Sequence, residues 1–359
     1  MNSESLEKIR SEMGKVDREI LRMLNERARL AVKVGKVKNE KGLDVYDPSQ
    51  ESRVYSRLQE INAGPLSPNA VNSIFREIIS SSRTLQAPVA VFYLGPEASF
   101  THQAAVSHFG RGAALSPVQT IPEIFEQVER GDSSLSVVPV ENSIEGSVRQ
   151  TLDRLITTRM SIRAEIYLRI SHCLLSTSSR KDQVKKIYSH PHAFAQCRRW
   201  LGAQLPHCRL EAAESTAAAA QKTLEEPESG AIAGSIAAEQ YGLEILAQGI
   251  EDHPENTTRF LVVGKGESES TGKDKTTILF ATRHEPGALF KALEPLARSG
   301  VNIMSMESRP AQDRMWEYLF FLDLEGHKNE KRIAGCLAEM AGRTSFIKHL
   351  GSYPKGELP

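Results

Sequence analysis

The chain has 359 residues, 40% of them hydrophobic and 25% charged, and its 45 basic side chains balance its 45 acidic ones. This length predicts two or three domains of a globular protein, and zero net charge gives no reason to expect nucleic acid as a partner. The N-terminal sequence has no apolar core of the signal-peptide type, and no segment approaches the ~20 apolar residues of a membrane span. We therefore expect a cytoplasmic protein with no membrane partner.

The four cysteines, Cys173, Cys197, Cys208 and Cys336, show no CxxC spacing. Free thiols in a reducing compartment are the simplest interpretation, and they agree with a cytoplasmic location. The sequence HPH at 190–192 could suggest a metal, but no matching Cys/His pair lies nearby in the sequence. We therefore expect neither a metal site nor a cofactor.

The chain divides into regions with different spacings of apolar residues. Residues 1–86 have a helical period, and residues 89–263 alternate short apolar strands with helices. Residues 264–275 are polar and rich in Gly and Ser, which predicts a linker. Residues 276–359 predict a βαββαβ module. The expected fold is multidomain, with an all-α three-helix domain, an α/β domain of two lobes and an α+β domain.

The first helix is predicted from apolar residues that alternate at intervals of three and four between Leu6 and Val37, the seam of a long helix packed lengthwise on others. A second helix starts at Asp47-Pro48, a good cap and first-turn pair, and a third follows Pro68. Each helix places polar residues on or beside its apolar seam: Arg10, Arg27, Lys38, Glu51, Ser82 and Gln86.

A buried, unpaired Arg27 would cost several kcal/mol, so a compensating group is expected. One interpretation is an internal Arg27–Glu51 pair or a charge that sets the helix register. The other is a small anionic ligand held inside the bundle. Since Arg10 and Arg27 lie ~25 Å apart along one helix, both can serve one ligand only if Arg10 comes from a second, antiparallel chain.

The sequence LEKIRSEMGKVDREILRMLNERARLAVKVGKVK, followed by YDPSQE, resembles the all-α chorismate mutases over residues 1–86. The resemblance implies that Arg27 and the partner's Arg10 hold the substrate carboxylates, and that Lys38 and Gln86 contact the breaking ether oxygen. It also implies that Asp47, Glu51 and Ser82 surround the ring hydroxyl and a carboxylate. The family motif is D-P-x-R-E, whereas this chain has Gln50 at the Arg position. A silent mutase domain is therefore an open alternative.

Strand ends in the middle region are repeatedly followed by small polar residues and a helix, an arrangement that binds anions through backbone N–H groups and hydroxyls. These ends contain Ser99, Thr101, Glu141, Asn142, Ser143, Ser189 and Glu214. Repeated strand–helix units predict parallel sheets with ligands at the carboxyl ends of the strands. Taken singly, each hydroxyl is more simply a helix cap. No GxGxxG, P-loop or GxSxG motif occurs, which argues against dinucleotides, ATP and esterase chemistry.

The ordered segments LGPEASFTHQAA, VPVENSIEGSV, YSHPHAFAQC, ESTAAA and NTTRF resemble the prephenate dehydratases over residues 89–263. The resemblance implies an essential hydroxyl at Thr258. From the chemistry of losing the ring hydroxyl, we expect Thr258, polarised by Arg259 or by a carboxylate, to contact that leaving group; a neighbouring protonated Glu or a water relay is an open alternative as proton donor. The resemblance also places Asn142, Ser189, Gln196, Glu141, Glu214 and Arg259 around the substrate, with Ser99 and Thr101 on a carboxylate. Ala98 stands where Gly is common in this family.

A bare βαββαβ module would most simply be an oligomerisation domain. The sequences HEPGALFKAL and NIMSMESRP, however, resemble the ACT domain attached to prephenate dehydratases, which binds phenylalanine. The residues implied for effector binding are Gly287, Ala288, Leu289, Asn302, Glu307, Ser308, Arg309 and Pro310.

The leading hypothesis is a bifunctional enzyme that converts chorismate to prephenate and then to phenylpyruvate, inhibited by L-phenylalanine and assembled as a homodimer or higher homo-oligomer. One alternative is a dehydratase whose mutase domain is inactive. The other is a non-catalytic amino-acid sensor, since both two-lobed clefts and ACT modules bind amino acids without chemistry.

Overall fold

The computed structural model describes residues 3–131, 134–310 and 318–358. The chain forms two compact units, Met1–Ala90 with Phe109–Ala114, and Val91–His108 with Leu115–Pro359. The first contains the all-α domain, and the second contains the α/β and α+β domains. The predicted domain boundaries stay predictions. Among the described helices, none is both long enough and apolar enough to cross a membrane.

Helices α1 Ser3–Glu40, α2 Pro48–Ile61 and α3 Pro68–Gln86 form the first unit. The side chain of Asp47 caps α2 by accepting a hydrogen bond from the backbone N–H of Gln50. Ser67 caps α3 in the same way, and each of these two helices has Pro in its first turn. Both predicted helix starts are confirmed, because the side-chain oxygens satisfy N–H groups that have no partner within the helix.

The second unit combines helices and strands in alternation. Its described α-helices are α4 Phe100–Phe109, α5 Ile121–Arg130, α6 Arg149–Thr157, α7 Pro191–Gln196, α8 Arg198–Gln204, α9 Thr216–Glu225, α10 Ser235–Tyr241, α11 Ala288–Arg298 and α12 Lys331–Arg343. Its described strands are β1 Ala90–Leu94, β2 Ala114–Val118, β3 Ser134–Asn142, β4 Gly146–Ser147, β5 Ser161–Arg169, β6 Cys173–Ser176, β7 Lys186–Ser189, β8 Arg209–Ala212, β9 Ser229–Ala233, β10 Glu244–Gln248, β11 Thr257–Gly264, β12 Asp274–Ala281, β13 Ile303–Pro310, β14 Tyr318–Glu325 and β15 Phe346–Pro354.

The α/β domain contains two sheets, which agrees with the predicted lobes. The first has the order β2-β1-β3-β11-β5 with β4 beside β3, and the second has the order β10-β6-β9-β7-β8. Strand β7 is parallel to β8 and β9, whereas β11 is antiparallel to β3 and β5, and β6 is antiparallel to β9 and β10. The prediction of parallel sheets holds for β7, β8 and β9, and it was wrong for the pairings of β11 and β6. After the second sheet, the chain returns to the first sheet as β11, which runs antiparallel to its neighbours β3 and β5.

Strand β11, which contains the sequence TTRFLVVG, lies between β3 and β5 and is buried along almost its whole length. Its apolar run FLVV suits a central strand, since both faces of such a strand pack against other layers. The register places Thr258 directly opposite Asn142 of β3. The fold thus joins the ends of two strands that are more than a hundred residues apart in sequence.

The C-terminal module has the order β12-α11-β13-β14-α12-β15, which confirms the predicted βαββαβ fold. Strand β12 begins at Asp274, inside the predicted linker, because the Asp274 carboxylate accepts hydrogen bonds from Ser270, Thr271 and Gly272 and orders the turn. One apolar core contains Leu261 of β11 together with Phe321 and other residues of the module. The sheet of the module and the first sheet of the α/β domain therefore share a core.

Gly351 of β15 lies against the backbone of β5, where a Cβ would be 2.3 Å from the carbonyl oxygen of Ile162. Because backbone atoms cannot rotate away, we expect Gly351→Ala to separate the strands and to lower the free energy of unfolding by about 1–3 kcal/mol. Thermal unfolding followed by circular dichroism measures the change. The control is Gly335→Ala in α12, where no atom lies within 4 Å of the added Cβ and stability should be unchanged or increased. Equal melting temperatures for Gly351→Ala and the wild type would contradict this prediction.

Candidate active sites

In the helical unit, Arg27 of α1 and Ser82 of α3 are brought together as the sequence analysis expected. The Arg27 guanidinium donates to the Ser82 hydroxyl, which itself donates to the Ile78 carbonyl at 2.7 Å. Burial lowers the pKa of Arg27, and nearby Tyr55 opposes that shift. A half-buried guanidinium held by a hydroxyl, with no carboxylate partner among the described residues, can bind an anionic ligand.

Glu51 forms its ion pair with Arg83. The Arg27–Glu51 pair that the sequence suggested is therefore not formed. Arg83 Nη2 lies 2.8 Å from Glu51 Oε1 and 2.9 Å from Glu51 Oε2. The Arg83 guanidinium also lies 5.5 Å from the Tyr46 ring centroid and 5.2 Å from that of Phe109. Burial raises the pKa of Glu51, and the Arg83 charge opposes this shift. Arg83 was missed, although it lies one turn before Gln86 on α3.

The remaining predicted residues of the helical unit differ in their surroundings. Lys38 Nζ donates to the Val45 carbonyl at 3.0 Å, and Asp47 serves as the α2 cap. Gln86 Oε1 is buried and has no hydrogen-bond partner among the described residues. A Cβ at Gly35 would be 2.9 Å from Gln86 Cα, so this glycine allows α1 and α3 to approach closely. Arg10 is exposed on α1.

In the α/β domain, Thr258 and Asn142 meet across the β3–β11 ladder. Asn142 Nδ2 lies 2.8 Å from Thr258 Oγ1 and 2.9 Å from Asn256 Oδ1. Asn256 Nδ2 lies 3.4 Å from Gln196 Oε1 on α7. The structure therefore joins three predicted site residues, Thr258, Asn142 and Gln196, through Asn256, to which the sequence analysis gave no role.

Two histidines extend this network. The Nε2 atom of His172, a residue only 2% exposed, lies 2.8 Å from Gln196 Oε1, and burial lowers its pKa. Glu145 Oε1 lies 3.5 Å from Gln196 Nε2 and 3.0 Å from His192 Nδ1. His172 was missed; its only signal was a polar residue directly before the apolar strand CLLS.

The hydroxyls at the other strand ends have local partners. Ser99 Oγ accepts from the backbone N–H of His102 at 3.2 Å, and Thr101 is buried in the first turn of α4. Ser189 is fully buried and donates to the Ile232 carbonyl at 2.8 Å. Ser143 Oγ accepts from the N–H of Thr257 at 3.0 Å. These contacts are those of caps and strand ends, the simpler interpretation of each hydroxyl.

Three further positions complete the predicted dehydratase set. Glu141 is exposed and lies opposite Arg259 in the backbone register of the β3–β11 ladder. Glu214 is exposed and directly precedes Ser215, the cap of α9. Ala98 has φ 62°, in the left-handed region that favours glycine. The structure thus gives a backbone reason for the glycine that is common at this position in the resembling family.

Arg259 does not polarise Thr258, and this part of the prediction was wrong. Consecutive strand residues point to opposite faces, so the Arg259 side chain leaves the Thr258 side of the sheet. Its Nε lies 2.8 Å from Glu165, its Nη1 2.7 Å from Asp323 and its Nη2 3.0 Å from the Tyr353 hydroxyl. The pKa of Arg259 stays well above its usual value, since burial lowers it less than Tyr353, Asp323 and Glu165 raise it.

Lys275 completes this arrangement, with its Nζ 2.7 Å from Glu165 and 3.8 Å from Asp323. We call Arg259, Glu165, Lys275, Asp323 and Tyr353 the charge cluster. Its first two residues belong to the α/β domain and the other three to the strands of the βαββαβ module.

The predicted effector residues lie at the start of α11 and along β13. Gly287 caps α11 with φ 77°, and the side chain of Asn302 lies 3.4 Å from that of Glu325. Arg309 Nη2 lies 2.6 Å from Asp153 on α6 of the α/β domain. A cavity of about 490 Å³ adjoins this end of β13 and is lined by Glu145, Ser147, Arg149, Glu307, Ser308, Arg309 and Pro310. The end of β13 therefore lies beside the dehydratase-like domain.

We expect Arg259→Met to lower the free energy of unfolding by about 3–5 kcal/mol, because it leaves the buried carboxylates with one cation. Denaturant unfolding of this variant, of Glu165→Gln and of the double variant gives the coupling energy, and the double variant should recover part of the loss. A variant that unfolds like the wild type but has lost turnover would instead favour a direct action of Arg259 on Thr258.

Comparison with known protein families covers nearly the whole chain. Residues 9–87 match the model "Chorismate mutase type II", residues 91–268 match "Prephenate dehydratase" and residues 276–342 match "ACT domain". These matches correspond to the helical unit, the α/β domain and the βαββαβ module.

A protein of Aquifex aeolicus (strain VF5), named "Bifunctional chorismate mutase/prephenate dehydratase", is 45% identical over 359 residues, covering 99% of each chain. The crystal structure of the prephenate dehydratase of Arthrobacter aurescens in complex with L-Phe has a TM-score of 0.67 at 36% identity, covering 74% of this chain and 89% of that one. A structure described as the quorum quenching acylase GqqA has a TM-score of 0.67 at 30% identity, covering 74% of this chain and 98% of that one. Since proteins of similar fold can have different activities, the chemistry depends on the residues of the sites.

Proposed function

Because the chain belongs to the bifunctional chorismate mutase/prephenate dehydratase family, we propose that it rearranges chorismate to prephenate and then converts prephenate to phenylpyruvate. The observation that carries the second activity is the 2.8 Å hydrogen bond between Asn142 and Thr258, which fixes a hydroxyl at the end of a buried strand. The full-length relative supports both activities in one chain. A cytoplasmic location is consistent with four unpaired cysteines.

The first reaction breaks a C–O bond and forms a C–C bond within one molecule, so it needs neither a nucleophile nor a proton transfer. It needs a compact conformer and positive charge beside the oxygen that becomes enolate-like. Arg27, oriented by Ser82, binds a carboxylate, and Lys38 and Gln86 contact the ether oxygen. Gln86 suits this role because its buried Oε1 has no hydrogen-bond partner among the described residues, and an amide can turn either its oxygen or its nitrogen to a ligand.

The ring hydroxyl of chorismate would lie near Asp47 and Glu51. Arg83 neutralises the partly buried Glu51 and holds its carboxylate in one orientation through contacts of 2.8 and 2.9 Å. Gln50 therefore does not leave Glu51 without a cation, which favours an active mutase over a silent one.

A second copy of the chain would complete the mutase site. The apolar seam of α1 is about half exposed, with Leu6 at 51%, Val16 at 58% and Ile20 at 52%. A long helix exposing this much apolar surface is stabilised by covering it. An antiparallel copy would cover the seam and bring the partner's Arg10 to the site, so we propose a homodimer or a higher homo-oligomer.

In the second reaction, prephenate takes up a proton and gives phenylpyruvate, CO₂ and water. The C–C bond to the ring carboxylate breaks, its electron pair makes the ring aromatic, and the ring hydroxyl leaves as water. Thr258 donates a hydrogen bond to the departing hydroxyl, while Asn142 and Gln196 orient the substrate. Ser99 and Thr101 bind a carboxylate at the N-terminus of α4.

Glu141, Glu214, Ser143 and Ser189 remain predicted members of the prephenate site. Since the Ser189 side chain is buried and bonded to Ile232, it would support the site's wall more than it would bind the substrate.

We propose L-phenylalanine as the effector of the βαββαβ module. Backbone N–H groups of Gly287, Ala288 and Leu289 would bind its carboxylate, and Asn302 with Glu307, Ser308, Arg309 and Pro310 would complete the site between two modules. The Arg309–Asp153 pair offers a physical link to the dehydratase domain. Inhibition then requires two states that bind the effector differently.

One assay tests the combined function. Purified protein receives chorismate alone, and phenylpyruvate should accumulate and then slow when phenylalanine is added. Thr258→Val, which keeps the shape but loses the hydroxyl, should lower the kcat of phenylpyruvate formation by about 10²–10⁴-fold, so that prephenate accumulates. If chorismate persists while added prephenate is consumed, the mutase is inactive; if neither changes, the sensor interpretation is favoured.

Mixing variants tests the shared mutase site. Arg10→Ala and Arg27→Ala should each be inactive as mutases, and a co-refolded mixture should recover up to about a quarter of the wild-type activity, because random heterodimers carry one intact site. Dehydratase activity serves as the control for folding. Mixtures with no more mutase activity than the separate variants would argue against a site shared between chains.

A further inference from the structure

The side-chain amides of the dehydratase site form a hydrogen-bond chain whose direction is fixed by the backbone. The N–H groups of Ile144 and Glu145, which can only donate, lie 2.9 and 3.0 Å from Asn142 Oδ1. That oxygen must therefore accept, and the other end of the amide, Nδ2, must face Asn256 and Thr258. The orientation of Asn142 does not depend on a ligand.

The direction passes from Asn142 to its neighbours. Since Asn142 Nδ2 donates, the Asn256 atom at 2.9 Å must be its oxygen, which turns the Asn256 Nδ2 towards Gln196. The Gln196 atom that receives this donor must in turn be Oε1. The same oxygen lies 2.8 Å from His172 Nε2, so the histidine carries its proton on Nε2.

Two consequences reach the substrate side. Gln196 Oε1 is occupied by two donors, so its Nε2 hydrogens point the other way, with only a 3.5 Å contact to Glu145. Thr258 Oγ1 accepts from Asn142, which leaves its own proton to donate, and the described residues provide no acceptor for it. Both groups are thus set as donors to a bound anion.

His172 and Asn256 are both only 2% exposed and are anchored in the fold. The backbone N–H of His172 donates to Glu251 at 2.8 Å, and its ring makes an edge contact with Phe100 at 5.3 Å between centroids. The Asn256 carbonyl accepts from the N–H of Ile170 at 2.7 Å. Since both side chains are buried and bonded to residues of the proposed site, each acts through Gln196 or Asn142.

We infer that His172 and Asn256 are positioning residues that hold the Gln196 amide with its NH₂ group towards prephenate and keep the Thr258 hydroxyl as a donor. The inference rests on the proposed dehydratase activity. These roles require a donor at the Nε2 position of residue 172 and an amide at residue 256 that accepts from one side and donates to the other.

The test compares His172→Gln with His172→Asn. A glutamine amide nitrogen can reach the place of the imidazole Nε2, whereas an asparagine amide corresponds to Nδ1 and falls short of Gln196. We expect His172→Gln to stay within about threefold of the wild-type KM for prephenate and His172→Asn to raise it about tenfold or more, with a smaller change in kcat. His207→Asn, at an exposed histidine of the same domain, should match the wild type.

Asn256→Asp supplies a second variant of nearly identical shape. An aspartate can accept from Asn142 but cannot donate to Gln196, so the Gln196 amide turns and presents its oxygen to the anionic substrate. We expect KM to rise about tenfold or more. Chorismate consumption by the helical unit should be unchanged in all these variants, and the circular-dichroism spectrum and melting temperature of each variant report correct folding of the α/β domain.

The outcomes separate this inference from the proposed function. If the wild-type protein does not convert prephenate, the proposed dehydratase activity is itself wrong. With an active wild type, equal KM values for His172→Gln and His172→Asn, or an Asn256→Asp variant with wild-type KM, would overturn the positioning roles.

Discussion

The buried charge cluster around Arg259 is the interaction on which the second unit depends. A guanidinium and an ammonium ion meet two carboxylates in the interior, where each unpaired charge would cost several kcal/mol. Arg259 lies 2.8 Å from Glu165 and 2.7 Å from Asp323, and Lys275 lies 2.7 Å from Glu165, so each of these charges has a partner. Because these residues lie on β5, β11, β12 and β14, the register of β11 is set jointly by the α/β domain and the βαββαβ module. The position of Thr258, the preceding residue on β11, follows from that register.

The sequence predicted much of this arrangement because its signals are local. The Asp47-Pro48 helix start, the βαββαβ order and the separate helical region each depend on neighbouring residues, and each was confirmed. The link between Asn142 and Thr258 followed only from the resemblance to a family, since 116 positions separate them. Local patterns predict elements, and partners distant in sequence need the fold.

The wrong predictions and the missed residue each depend on tertiary structure. Arg259 was expected beside Thr258 because the two are adjacent in sequence, but adjacency within a strand sends side chains to opposite faces. The direction of β11 could not be read from its apolar run, which suits a parallel or an antiparallel central strand equally well. Arg83 was passed over because an arginine in the last turn of a helix is ordinarily solvated. Here it meets Glu51 from another helix, a pairing that only tertiary structure reveals.

Tyr353, only a few residues before the end of the described chain, is fully buried and contacts both Arg259 and Thr277. The βαββαβ module is therefore a structural part of the dehydratase and not an accessory joined by a tether. A gene fragment that ends after β11 would encode a protein whose Arg259 and Glu165 face solvent at an open sheet surface. Exchange of this module between relatives, whether in evolution or by recombination in the laboratory, would succeed only where the incoming sheet supplies equivalents of Lys275, Asp323 and Tyr353. The interface between the α/β domain and the βαββαβ module thus restricts which regulatory modules this enzyme can acquire.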